Sequence, residues 1–247
     1  MNAIIIAAGS GKRISNDVKE TPKSLILVNE KPIIEYQIEL LKQKKIENII
    51  VITGKYSEKF HLKDVHYVND PNFEKHDILG SLMVAKQFLN GNVIVLYSDI
   101  IFEEKILQQM LDSKGNISIG VDMNWEKNYD GRTEHPKSEA ENVLIENEVK
   151  VVQIKKSISS SNKNIGEFLG IIKFSKYGSE LFVKKYDEIF KKHTGKFHES
   201  SSISKAYLTD MIQEIIDNEI EVEPVFISGK WSEIDTMQDL KNAEEKF

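Results

Sequence analysis

Residues 3–7 read Ala-Ile-Ile-Ile-Ala, apolar at every position. A half-exposed strand would alternate, so a run with no polar face predicts a strand buried on both sides, as in the middle of a parallel sheet. Further short apolar runs fall at residues 49–52, 65–68 and 93–96. Between them lie helical patterns. Residues 31–45 carry apolar side chains at Ile34, Ile38 and Leu41, with Asn29 as the expected N-cap and Pro32 in the first turn, and residues 78–89 form a second such stretch. Strands alternating with helices predict an α/β fold: a mostly parallel sheet flanked by helices.

The pattern changes over residues 121–173, where strands are expected at 143–145, 149–154 and 168–173, interrupted by the polar loop "SISSSNKNIG". This part reads as a β-rich insertion forming one wall of a cleft. Helices return at 176–191 and 203–216, with the segment "KKHTGKFHESSS" between them expected to be mobile, and the second carries Tyr207, Met211 and Ile215 on one stripe. That stripe could make a homo-oligomer contact, although such stripes more often face their own core. The chain closes with a strand at 222–227, the segment "WSEIDT", and a helix whose Thr236 and Asp239 fit a capping box. With 247 residues and no internal repeat, residues 1–247 are expected to form one domain with two halves, 1–120 and 121–247.

Composition excludes several classes of function. The chain has no cysteine, so thiolate catalysis, Cys-type zinc sites and disulfides are out, and a reducing, cytoplasmic setting fits. A formal net charge of -6 argues against broad nucleic-acid binding, and no apolar run approaches the roughly 18 residues of a membrane span. Of the 33 basic residues only Arg13 and Arg132 are arginine. A planar guanidinium fork is not replaceable by lysine at a bidentate phosphate or carboxylate site.

After the first strand comes "AAGSGKR", then "TPKSL". A dinucleotide-binding turn needs a third glycine where Ile14 stands, and a P-loop needs four residues between its glycines, whereas Gly9 and Gly11 are separated by one. What remains is a loop whose glycines let backbone approach a ligand while Arg13 and Lys23 reach its phosphates. Two carboxylates add to this. Asp99 ends the apolar strand "VLYSD", at the sheet edge where open α/β folds bind ligands, and Asp235 precedes the capped terminal helix. Paired carboxylates without His or Cys partners suit Mg²⁺.

"AAGSGKR" followed by "TPKSL" resembles the N-terminal signature of the nucleotidyltransferases, which move a nucleoside monophosphate from an NTP to a small phosphorylated acceptor and release pyrophosphate. The resemblance implies a Rossmann-like sheet. It makes 1–120 the nucleotide half and 121–247 the acceptor half, so that the β-rich insertion forms the acceptor side of the cleft. Ala7, Ala8, Gly9, Ser10, Gly11, Lys12 and Arg13 would then lie against the nucleotide, with Arg13 and Lys23 on the triphosphate. Asp99 and Asp235 would hold the metal, and Asp77 and Ser81 would border the pyrimidine, although relatives commonly carry Asn where this chain has Asp77. Such a reaction needs positioning and charge neutralisation rather than a general base, because the acceptor oxygen is already ionised.

The pieces "NYDGRTEHPKSEAENV", "VVQIKKSI", "GEFLGIIKFS" and "WSEIDTMQDLKNAEE" look most like cytidylyltransferases that make CMP-activated phosphonates, and are similar to bacterial phosphocholine cytidylyltransferases. This implies CTP as donor and a small phosphonate or phosphate ester as acceptor, such as 2-aminoethylphosphonate or 2-hydroxyethylphosphonate. Phosphocholine and phosphoramidates such as phosphoglutamine are the alternatives, and a nucleotide-binding regulatory subunit without catalysis is the alternative of another class. For the acceptor's anionic group, Lys155 is the expected cation, with Arg132 and His135 in reach if their loop folds over the cleft. For a cationic head group, Glu167, Asp122, Glu233, Tyr129 and Trp231 are the available carboxylates and rings.

Overall fold

The computed structural model describes residues 1–9, 21–158 and 164–247, so the expected nucleotide contacts Ser10, Gly11, Lys12 and Arg13 lie outside the described residues. The strands in chain order are β1 (Asn2–Ala7), β2 (Leu27–Val28), β3 (Lys31–Pro32), β4 (Asn48–Thr53), β5 (His66–Asn69), β6 (Val93–Tyr97) and β7 (Ile100–Phe102), then β8 (Ile117–Asp122), β9 (Glu141–Glu146), β10 (Lys150–Lys156), β11 (Ile165–Phe174), β12 (Glu223–Phe226) and β13 (Trp231–Glu233). The helices are α1 (Ile33–Gln43), α2 (Ile78–Val84), α3 (Glu104–Asp112), α4 (Lys176–Lys192), α5 (Leu208–Asp217) and α6 (Met237–Lys246).

The unbroken apolar run lands where its composition requires. β1 lies between β4 and β6, parallel to both, and β5 extends the parallel core beyond β4. Ile4 and Ile6 face one hydrophobic core, shared with Leu79 and Leu82 of α2 and with α5, while Ala3, Ile5 and Ala7 face a second, shared with α1 and α3. Both faces of the strand are thus covered.

The expected β-rich insertion is not a separate layer. β11 pairs antiparallel with β6, β8 and β9, and β10 with β9, so this region continues the same sheet and curves it around the cleft. Gly170 permits the bend: it has φ +72° inside β11, where the register with β8 shifts, and a Cβ there would sit 2.4 Å from the Tyr97 ring.

Three local expectations are corrected. Asn29 does not cap α1: Asn29 and Glu30 both have positive φ and form the turn between β2 and β3, while Pro32 stands at the helix N-cap position. The helix expected from residue 203 begins at Leu208, after a short 3₁₀ turn (Ile203–Lys205). The segment "KKHTGKFHESSS", read as mobile, is fastened by buried Asp210, which accepts hydrogen bonds from Ser200 Oγ at 2.6 Å and the Glu199 backbone N–H at 3.1 Å. Met211 and Ile215 of α5 are fully buried within the chain, so the stripe is core. The Thr236/Asp239 capping box is present. Among the described residues, no helix is long and apolar enough to cross a membrane.

Candidate active site

A cleft of about 690 Å³ opens along the C-terminal ends of β1 and β6. That edge gathers residues distant in sequence. β13 pairs antiparallel with β7, Trp231 opposite Phe102 and Glu233 opposite Ile100, and the Ile234 N–H then donates to the Asp99 carbonyl at 2.9 Å. This ladder sets the "SEID" segment beside the "YSD" turn, bringing Asp235 to Asp99. The two capping-box bonds of α6 fix the chain immediately after Asp235.

Lys23 stands between the two aspartates. Its Nζ donates to Asp99 Oδ2 at 2.7 Å and to Asp235 Oδ1. Burial alone would lower the Lys23 pKa, but the two carboxylates raise it well above the usual lysine value. Burial would likewise raise Asp235. The hydrogen bond from His135 Nδ1 at 3.0 Å and the Lys23 ammonium outweigh that and hold its carboxyl well below the usual range.

Asp99 Oδ1 is buried and has no hydrogen-bond partner among the described residues, a costly state for a carboxylate oxygen unless a cation or donor arrives. Ligand atoms of His135, Glu233 and Asp235 lie within 4.8 Å of one another. An unsatisfied carboxylate oxygen beside this mostly oxygen donor set fits a hard divalent cation such as Mg²⁺.

Beyond this centre the cleft is acidic and aromatic. Tyr129 OH donates to Glu167 Oε1, whereas Glu167 Oε2 is buried without a partner among the described residues. Burial pushes the Glu167 carboxyl up to about 8, Tyr129 opposing and Glu233 reinforcing the shift. Glu141 rises to about 7, mainly by burial. Both stay wholly or partly protonated near neutrality until a cationic or hydrogen-bond-donating group pairs with them.

Of the expected nucleotide contacts, Ala7, Ala8, Gly9, Lys23, Asp77, Ser81 and Asp99 line the cleft, and of the expected acceptor contacts, Tyr129, His135, Glu167, Trp231 and Glu233 do. Three expectations are corrected. Asp122 does not line the cleft: it accepts from Trp231 Nε1 at 2.8 Å, the Asn124 N–H at 2.7 Å and Asn128 Nδ2 at 3.2 Å, which makes it a strut behind Trp231. Arg132 is likewise behind the wall. Its Nε donates to Asp239 at 2.5 Å and its Nη2 to Glu233 at 3.3 Å, and its guanidinium lies 5.0 Å from the Tyr129 ring centroid, so the fork ties the 129–135 loop to α6. Lys155 does not line the cleft, whereas Lys156 does. Neighbouring strand residues point to opposite faces, and Lys156, on the face of buried Ile154, reaches Glu139 at 2.9 Å and lies 5.2 Å from the Tyr207 ring centroid.

Sequence reasoning missed His76, Glu141, Lys156 and Tyr207. Only Lys156 left a signal, in the alternation that buries Ile154.

Residues 3–125 match the family model of the MobA-like NTP transferase domain. Over its full length the chain is 28% identical to the CTP:phosphoglutamine cytidylyltransferase of Campylobacter jejuni, covering all of that protein. It is 42% identical over 99 residues to the choline-phosphate cytidylyltransferase of Streptococcus pneumoniae, a match spanning 38% of this chain and 43% of that one. The solved structure of the CTP:phosphocholine cytidylyltransferase from Streptococcus pneumoniae superposes with a TM-score of 0.75 at 26% identity, covering 99% of this chain and 97% of that one.

Proposed function

This chain belongs to the nucleotidyltransferase family, and we propose that it transfers CMP from CTP to an anionic phosphorus-bound oxygen of a small, nitrogen-containing acceptor, releasing pyrophosphate. The observation that carries the reading is the convergence of Lys23, Asp99 and Asp235 at the sheet edge, with one Asp99 oxygen buried and unpaired among the described residues. Asp99 and Asp235 would hold Mg²⁺, which when bound supplies positive charge at the α-phosphate.

The rest falls to the chain itself. The backbone of residues 7–9 borders the nucleotide side of the cleft, and Lys23 neutralises phosphate charge once it leaves the aspartates. His135 orients Asp235 through Nδ1, and Arg132 fixes Glu233 and α6. Lys156 is a cation placed for the acceptor's anionic group, in the role expected of Lys155. An ionised acceptor oxygen attacks the α-phosphorus, the bond to the β-phosphate bridging oxygen breaks, and pyrophosphate carries away the electron pair without a general base.

At the far end, Glu141, Glu167 and Glu233 with the Tyr129, Tyr207 and Trp231 rings suit a nitrogenous head group. 2-Hydroxyethylphosphonate offers no such group. The relative matched over its full length supports a phosphoramidate of the phosphoglutamine kind first, and the choline-phosphate relatives support phosphocholine next. 2-Aminoethylphosphonate follows, on motif resemblance alone. The match of residues 3–125 to an NTP transferase domain supports nucleotide binding by the first half and acceptor binding by the second, and a cytoplasmic setting agrees with both substrates.

The test is turnover of Asp99→Asn and Asp235→Asn with CTP, phosphoglutamine and Mg²⁺. Each should lose more than about a hundredfold in kcat, and wild-type rates in both would remove the metal site from the reading.

A further inference from the structure

On the side of the cleft built by residues 3–125, one buried carboxylate organises groups that phosphoryl chemistry leaves unused. Asp70, fully buried just after β5, accepts from His76 Nδ1 at 2.9 Å, from Ser81 Oγ at 2.8 Å and from the Asn72 N–H at 2.9 Å. An ionised carboxylate has no proton to give, so His76 Nδ1 and Ser81 Oγ must both donate to it. That sets the polarity of what remains. With Nδ1 donating, the neutral form of the imidazole presents Nε2 as a lone pair, and Ser81 Oγ has only lone pairs left. Packing holds the ring in place: a Cβ on Gly80 of α2 would sit 2.8 Å from His76 Cγ.

His76, Asp77 and Ser81 all line the cleft, and His76 Nε2 has no hydrogen-bond partner among the described residues. Asp77, which caps α2 by accepting from the Ile78 N–H at 3.0 Å, adds another acceptor. Of the two ammonium groups whose charge bears on Asp77, Lys205 donates to the Glu74 carbonyl at 2.6 Å and Lys156 to Glu139 at 2.9 Å. This wall therefore presents hydrogen-bond acceptors to whatever enters.

We propose that His76, fixed in this tautomer by Asp70, reads the nucleobase: Nε2 accepts from the exocyclic 4-amino group of cytosine and opposes the carbonyl oxygen that uracil carries at that position. His76 is thereby a specificity residue and Asp70 a positioning residue. The inference rests on the cytidylyl-transfer reading and names how its nucleotide is chosen. Sites that bind a substrate N–H discriminate strongly against analogues lacking it, because their own polar groups are then left unpaired.

The experiment is a cycle between His76→Phe and loss of the base's amino group, using CTP, UTP and the triphosphate of the pyrimidin-2-one riboside, which has hydrogen at position 4. Wild type should lose about 10- to 100-fold in kcat/KM when the amino group is removed. His76→Phe should lose a similar factor with CTP but little more with either analogue, mostly in KM. His76→Gln, which keeps an acceptor, should recover part of the CTP preference, and Asp70→Asn should weaken it. Equal slowing of all three nucleotides by His76→Phe would make His76 structural and overturn the inference. Should His76→Phe not fold, His76→Gln and His76→Ala carry the same comparison. A wild type that prefers another nucleotide to CTP overturns the cytidylyl-transfer reading itself, whereas CTP preference without coupling overturns only the role of His76.

Discussion

Replacing Lys23 by methionine removes the ammonium that joins Asp99 to Asp235 while keeping most of the side-chain volume. At an effective dielectric constant of about 20, unit charges 2.7 Å apart attract by about 6 kcal/mol. Desolvation of the lysine offsets part of this. Because these side chains are only 13–24% exposed, removing the cation leaves carboxylates facing one another and costs roughly 3–5 kcal/mol. For a chain of this size that lowers the melting temperature by roughly 6–20 °C in chelator.

Magnesium reverses the sign of the comparison. In the wild type the ion must displace Lys23 from both aspartates, whereas in Lys23→Met no ammonium competes with it for them. The variant should therefore gain more melting temperature from millimolar Mg²⁺ than the wild type does, while its turnover falls more than about a hundredfold through loss of phosphate neutralisation. The assay is thermal unfolding followed by fluorescence, with EDTA and with Mg²⁺. Equal melting temperatures in EDTA, or equal gains from Mg²⁺, would refute the account of a shared lysine and metal position.

Other consequences follow from the acceptor wall. Asp122→Ala strands the buried Trp231 N–H and should cost about 2–4 kcal/mol in urea unfolding, against about 1 kcal/mol for Asp122→Asn. An Asp122→Ala protein of unchanged stability with a greatly raised acceptor KM would return Asp122 to the substrate. Glu167, with a folded pKa of about 8 against about 4.3 unfolded, keeps its proton in the native state where the unfolded chain releases it. Stability of the ligand-free protein should thus fall as pH rises from about 4.5 to 8, Glu141 adding to the same slope. In Glu167→Gln the decline should be shallower, leaving the variant on the order of 2–5 kcal/mol better placed at pH 8 relative to pH 5, and parallel stability curves would contradict this.

Much of the nucleotide half is legible in the sequence because β1, β4 and β6 are apolar on both faces, and only a covered parallel sheet satisfies such runs. Asp99 is readable for the same reason: a polar residue ending an apolar strand sits at the sheet edge. Asp235 is readable through the capping box that follows it. The acceptor half is harder, since its contacts depend on register. One strand position separates Lys155 from Lys156, and nothing in composition distinguishes them. Asp122 and Arg132 have the charge of ligand-binding groups, yet Trp231, Asp239 and Glu233 reach them first, and those partners are contributed by segments more than a hundred residues away. The Asp70–His76–Ser81 network is equally hidden, because its three residues converge only once β5 and α2 are placed against each other.

The most direct test of the central claim is pyrophosphate release by the wild-type protein with Mg²⁺, crossing CTP, UTP, ATP, GTP and dTTP against phosphoglutamine, phosphocholine, 2-aminoethylphosphonate, 2-hydroxyethylphosphonate and glucose 1-phosphate. Turnover confined to CTP with a nitrogen-bearing acceptor, and abolished by EDTA, is the predicted result. Comparable turnover of UTP or dTTP with glucose 1-phosphate, or none with any CTP pair, would contradict it.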